Sequence, residues 1–175
     1  MRKDIKEVLL SEEEIQEKLA EMGKKITEDY QGKELLIIGV LKGAFVFMAD
    51  LIRHIDVPLE VDFMAVSSYG DSTKSSGVVR ILKDLDRPIE NKNILIVEDI
   101  IDTGLTLSYL VSNLESRGAE SVTICTLLDK PQRRKINMDI KYKGFDIPDE
   151  FVIGYGIDYA EKYRNLKEIC ILKTE

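Results

Sequence analysis

The 175-residue sequence predicts an α/β fold: a mainly parallel, twisted sheet flanked by helices. Three observations carry this. Segments 35–40 and 94–97 are apolar at every position, as strands covered on both faces must be. Helical patterns alternate with such strands, which implies right-handed βαβ units. The composition, 44% hydrophobic and 33% charged, is that of an ordinary globular domain.

The elements follow in order. Ser11 and Glu14 form a capping-box pattern opening a helix over 11–30, with Ile15, Leu19, Met22 and Ile26 as its apolar stripe. Gln31-Gly32 stops it. The strand 35–40 is broken by Lys42-Gly43, and Phe45, Met48, Leu51, Ile52 and Ile55 fit a second helix, which would carry His54 as a structural residue. Segment 59–65 alternates and reads as a strand. The small polar stretch 67–77 is longer than a usual connection and reads as a mobile hairpin tip or a lid over a site. Strands are expected at 78–82, 94–97, 121–128, 151–154 and 169–172, a helix at 105–114, and irregular chain over 130–147, which carries Pro131. A single domain spanning 1–175 is expected.

Several function classes are disfavoured. The formal charge of −7 argues against nucleic-acid binding through a basic surface. The longest apolar run, 35–41, is far short of the roughly 20 residues of a membrane span. Cys125 and Cys170 stand in apolar segments and His54 is the only histidine, so a structural zinc site is not expected; buried free thiols fit a reducing, cytoplasmic setting. The first residues show no signal-peptide pattern.

The chemistry concentrates at 94–106, where an apolar strand meets two acids, Glu98 and Asp99, then a short Thr-Gly-x-Thr turn and a helix. Ligands of open α/β sheets bind at the carboxyl ends of strands, and a helix N-terminus there suits a phosphate. Gly104 permits close backbone approach, and Thr103 and Thr106 add hydroxyl donors. Glu98 and Asp99 repel phosphate but suit a sugar diol or a divalent cation. Phosphate and diol sites side by side fit a ribose 5-phosphate. The bland alternative is a helix cap from Asp102 or Thr103 beside solvated acids.

The stretch Val-Glu-Asp-Ile-Ile-Asp-Thr-Gly-Leu-Thr, 97–106, resembles the phosphoribosyl-diphosphate signature of the type I phosphoribosyltransferases, in the form used by the hypoxanthine (guanine) branch. The likeness extends to Leu41-Lys42-Gly43, Ser68-Tyr69, Lys130, the segment 147–159 and Arg164. It implies the type I phosphoribosyltransferase fold with a small hood formed by the N-terminal residues and about 130–175. It also implies purine salvage: transfer of phosphoribosyl from 5-phosphoribosyl 1-diphosphate to hypoxanthine or guanine, with Mg2+. Glu98 and Asp99 would hold the ribose hydroxyls, directly or through the metal. Asp102, Thr103, Gly104, Leu105 and Thr106 would cradle the 5-phosphate, and Asp102 would also be the general base beside purine N7. Leu41, Lys42 and Gly43, a loop whose Lys often follows a cis peptide, and Arg164 would meet the diphosphate, and Ser68 and Tyr69 would close over it.

Lys130 would donate to the C6 oxygen, Phe151 would stack on the base, and Val152 would read its edge through the backbone. Asp158 would hold a second magnesium. Leu105 departs from relatives that carry lysine there. Arg164 has a bland alternative as a surface partner of Glu161, and Lys130 as a solvated lysine. The resemblance further suggests a homodimer or homotetramer. Competing readings are a nucleic-acid-binding regulator on the same scaffold, and an enzyme for xanthine or a pyrimidine.

Overall fold

The computed structural model describes residues 2–69 and 78–173. Strands β1 (Ile5–Leu10), β2 (Leu35–Leu41), β3 (Leu59–Tyr69), β4 (Val78–Lys83), β5 (Asn93–Ile101), β6 (Ser121–Asp129), β7 (Tyr142–Asp146), β8 (Val152–Ile153) and β9 (Ile169–Leu172) alternate with helices α1 (Glu12–Asp29), α2 (Phe45–Ile52) and α3 (Leu105–Ser116). The main sheet has the order β4-β3-β2-β5-β6-β7. All its pairings are parallel except β3 with β4. A second, antiparallel sheet has the order β1-β9-β8.

The expected capping box starts α1: the Glu14 amide donates to Ser11 Oγ at 3.2 Å, and the Ser11 amide donates to Glu14 Oε2 at 2.8 Å. The apolar stripe Ile15, Leu19, Met22 and Ile26 is buried as the spacing predicts. β2 and the 94–97 stretch of β5 are apolar throughout because side chains alternate between two cores. Leu35, Ile37, Leu95 and Val97 pack with α1 and α2, while Leu36, Ile38, Ile94 and Ile96 pack with Leu107, Leu110 and Leu114 of α3. Both cysteines are free and buried.

Several expectations are corrected. The strand expected to end at 97 runs on to Ile101, so Glu98 and Asp99 belong to its second half. Segment 130–147 is irregular only in part: it also holds a short 3-10 turn, Pro131–Arg133, and the edge strand β7. β7 is pinned by Tyr142, whose hydroxyl donates to Asp29 Oδ2 on α1 at 2.6 Å. β1 was not anticipated, and two register shifts break its alternation. α2 ends at Ile52, leaving His54 exposed in the following turn, with its backbone and Cβ close against Gly23 of α1. Ser67, Ser68 and Tyr69 belong to β3, and the rest of the expected lid, 70–77, lies outside the described residues.

The fold places the crevice. The chain leaves β2 toward β3 on one side and β5 toward β6 on the other, so the topological switch lies between β2 and β5. Their pairing stops at Gly39↔Val97 although both strands continue, to Leu41 and Ile101. A cavity of about 260 Å³ opens at this end, lined by residues of both strands together with Val66 of β3 and the turn after β5.

Candidate active site

Glu98, Asp102, Thr103, Gly104 and Thr106 all line that cavity, with Leu41 on the facing strand. The turn from Asp102 to α3 is capped by no side chain: Gly104 is the N-cap residue at φ 83° and accepts from the Ser108 amide at 2.9 Å. A left-handed φ of this kind is available to glycine without steric cost. Apart from the Leu105 amide, which meets Thr103 Oγ1, the first-turn amides of α3 have no side-chain cap and are left for a ligand, so the capping alternative holds only in that one long contact. Leu105 opens the helix with its apolar side chain half-buried. Its backbone amide lies 3.4 Å from Thr103 Oγ1.

Glu98 and Asp99 are adjacent carboxylates at the end of a core strand. Burial raises the Glu98 carboxyl well above its ordinary range, and the neighbouring Asp99 charge adds to this. Burial also raises Asp99, while a hydrogen bond with Glu98 and the charge of Arg164 pull the other way. Two hard carboxylates crowded together in this manner fit a divalent cation. Among the described residues no group of three or more His, Cys, Asp or Glu gathers as a metal centre, so Asp158 does not join them in one set. Instead Asp158 Oδ1 pairs with Arg164 at 3.0 Å, and its Oδ2 accepts from the Glu161 amide at 2.8 Å.

The Leu41–Lys42 peptide is cis, as the resemblance implied. Gly43 lies hard against Asp99. Lys42 pairs with Glu161 at 3.1 Å, and Arg164 lies 3.5 Å from the same carboxylate while donating to the Gly156 carbonyl at 2.8 Å. The two cations assigned to the diphosphate thus converge on one exposed acid. The Arg164–Glu161 pairing weighed as the bland alternative is present, alongside the tighter one with Asp158.

Lys130 is buried, which overturns the solvated-lysine alternative; its amide donates to the Ile101 carbonyl at 3.0 Å and its ammonium lies 3.6 Å from Asp149. Phe151 is 48% exposed and meets Tyr159 edge-on at 5.5 Å, so an apolar ring is free to stack. Val152 is buried in β8. For Ser68 and Tyr69 only the backbone is described, in register with Val79 and Val78.

Sequence reasoning missed two arginines. Arg133 Nε donates to Asp102 Oδ1 at 2.5 Å, and its NH1 reaches both Asp149 oxygens at 3.4 Å. Arg134 donates to the Asp102 carbonyl at 3.3 Å and pairs with the buried carboxylate of Asp129. The Lys135 amide donates to the Thr103 carbonyl at 2.9 Å, so segment 133–135 is strapped onto the phosphate turn. The run Arg133-Arg134-Lys135 after Pro131 was the only sequence signal, and nothing in it indicated which carboxylates the arginines meet.

A family model described as the phosphoribosyl transferase domain matches residues 7–160. The hypoxanthine-guanine phosphoribosyltransferase of Bacillus subtilis is 60% identical over 173 residues, covering 99% of this chain and 96% of that protein. The crystal structure of a hypoxanthine phosphoribosyltransferase from Staphylococcus aureus superposes with a TM-score of 0.96 at 55% identity, covering 99% of this chain and 94% of the other. That of a hypoxanthine-guanine phosphoribosyltransferase from Bacillus anthracis gives 0.93 at 51%, covering 97% and 99%. Switch-point crevice, signature turn and full-length likeness agree, and the chain belongs to the phosphoribosyl transferase domain family.

Proposed function

We propose that the chain is a hypoxanthine-guanine phosphoribosyltransferase acting in purine salvage. The observation that carries this is the cavity at the β2/β5 split, with acids at one wall and an amide-rich turn at the other. The buried Lys130 is tied to its lining, donating its amide to the Ile101 carbonyl. In the reaction, purine N9 attacks C1 of 5-phosphoribosyl 1-diphosphate. The N9–C1 bond forms, the C1–O bond breaks, pyrophosphate leaves, and the imidazole proton of the base passes to a carboxylate. IMP or GMP results.

Each role follows from chemistry. Asp102 to Thr106 hold the 5-phosphate through turn amides and hydroxyls. Glu98 and Asp99 accept from the ribose hydroxyls and are suited to hold Mg2+, which when bound neutralises diphosphate charge. Asp158 is the candidate for a second ion, through water. Lys42, the Gly43 backbone and Arg164 face the diphosphate, where the planar guanidinium is well matched. Charge developing on the leaving group is stabilised by these preorganised donors. Asp102 takes the purine proton. Lys130 donates to O6; adenine would oppose its donor with another donor and be rejected. Phe151 stacks on the base and the Val152 backbone contacts its edge. The antiparallel sheet and the segment 147–173, which follows the main-sheet strand β7, form the hood over the base. We further propose a cytoplasmic enzyme that works as a homodimer or homotetramer.

Purified protein incubated with hypoxanthine, Mg2+ and 5-phosphoribosyl 1-diphosphate is expected to release IMP and pyrophosphate. Absence of turnover with both hypoxanthine and guanine overturns the reading. Competition among hypoxanthine, guanine and xanthine in one mixture ranks the bases.

A further inference from the structure

We propose that Arg133 is a positioning residue that locks the two groups facing the purine's N7 and O6 into one unit. The inference rests on the roles given above to Asp102 and Lys130. N7 and O6 are neighbours on one edge of a 6-oxopurine, so their two partners must keep a fixed spacing. Those partners stand on different elements: Asp102 on the turn between β5 and α3, and Lys130 at the end of β6.

Arg133 spans them. It follows Lys130 by one 3-10 turn, closed by its amide donating to the Lys130 carbonyl at 3.0 Å. Its guanidinium bonds Asp102 Oδ1 on one side and Asp149 on the other, and Asp149 in turn lies 3.6 Å from the Lys130 ammonium. The charges therefore alternate: Asp102, Arg133, Asp149, Lys130. The contact at Asp102 uses Oδ1 and leaves Oδ2 as the oxygen to face the base.

Stability does not account for this arrangement. The side chains of Arg133, Asp102 and Asp149 are 46%, 43% and 45% exposed, and pairs so exposed are worth little in folding. Neighbouring Arg134 presents the contrast, because its partner Asp129 is buried and its role is to hold the turn's backbone. A lysine at 133 would lack the planar fork that reaches two carboxylates at once.

The test uses Arg133→Met, Arg133→Lys and Asp149→Asn in the full-length protein. It follows single-turnover rates with hypoxanthine and the dissociation constants of IMP and ribose 5-phosphate. Arg133→Met is expected to slow transfer and weaken IMP, each by about tenfold, since misplacing a catalytic group by a fraction of an ångström has effects of this order. Ribose 5-phosphate, which lacks the base, is expected to bind within about twofold of the parent, and Arg133→Lys to recover part of the loss. Asp149→Asn should resemble Arg133→Met, and the double variant should be no worse than either, as for residues acting as one unit.

The proposal is overturned if Arg133→Met leaves transfer and IMP affinity within about twofold of the parent, or weakens ribose 5-phosphate equally, or if the two losses multiply. Asp102→Asn separates the levels. If that variant keeps full activity, the assignment of Asp102 itself fails and Arg133 has nothing to position. If it is impaired while Arg133→Met is not, only the present inference falls.

Discussion

A β-carbon built on Gly43 would lie 1.8 Å from Oδ2 of Asp99. The loop after β2 is thus pressed onto one of the two acids of β5. Gly43→Ala must displace either the loop or the carboxylate. Displacement of about 1 Å is expected to lower kcat/KM for 5-phosphoribosyl 1-diphosphate by roughly 100-fold. Steady-state kinetics checks this, with circular dichroism to show that the fold persists.

Lys130→Met removes the cation beside Asp149 and the donor facing O6. A hydrogen bond involving a charged group contributes about 1.5–3 kcal/mol, so kcat/KM for hypoxanthine is expected to fall by roughly 10- to 150-fold. Discrimination against adenine should shrink at the same time. Parallel assays with the two bases measure both.

The Glu98 carboxyl is raised in the folded protein by burial and by the Asp99 charge, from an ordinary value of 4.5. The folded state then holds more protons than the unfolded chain as pH rises above that value, so this group subtracts stability with rising pH until it has titrated. Glu98→Gln removes the penalty. In metal-free buffer the variant is expected to melt higher than the parent near about pH 8, with the gap closing toward about pH 4. Thermal melts across that range test the sign, and a variant less stable at the upper end would contradict it.

Arg134→Met strips Asp129, whose side chain is 4% exposed, of its closest cation and leaves Lys143 at 3.5 Å. Breaking a buried pair from one side costs about 3–5 kcal/mol, and the remaining lysine should keep the loss near the lower figure. Urea denaturation is the measurement. Affinity for ribose 5-phosphate should fall too, because Arg134 also holds the Asp102 carbonyl.

The frame was legible because its signals are local. The capping box at Ser11, the stripe on α1 and the doubly apolar β2 and β5 depend on spacing alone. The signature 97–106 was legible for the same reason, and the structure places Glu98, Asp102, Thr103, Gly104 and Thr106 around one cavity. β1 and β7 were missed. Register shifts scramble the first, and the second is five residues long with Gly144 inside it and Pro148 close behind. His54 was misplaced because the apolar pattern continues past the last helical residue, Ile52. Arg133 and Arg134, the charge partners that were missed, follow β6 and meet the turn only through the tertiary fold. No spacing rule connects Arg133 with Asp102, 31 positions away.

The parting of β2 from β5 beyond Gly39 and Val97 bears on how substrate is received. A binding cleft made by forking two core strands inherits the rigidity of the strands themselves. Its width cannot be retuned by substituting a surface loop, and a sugar phosphate entering it finds main-chain donors already aimed, with little ordering left to be done on arrival.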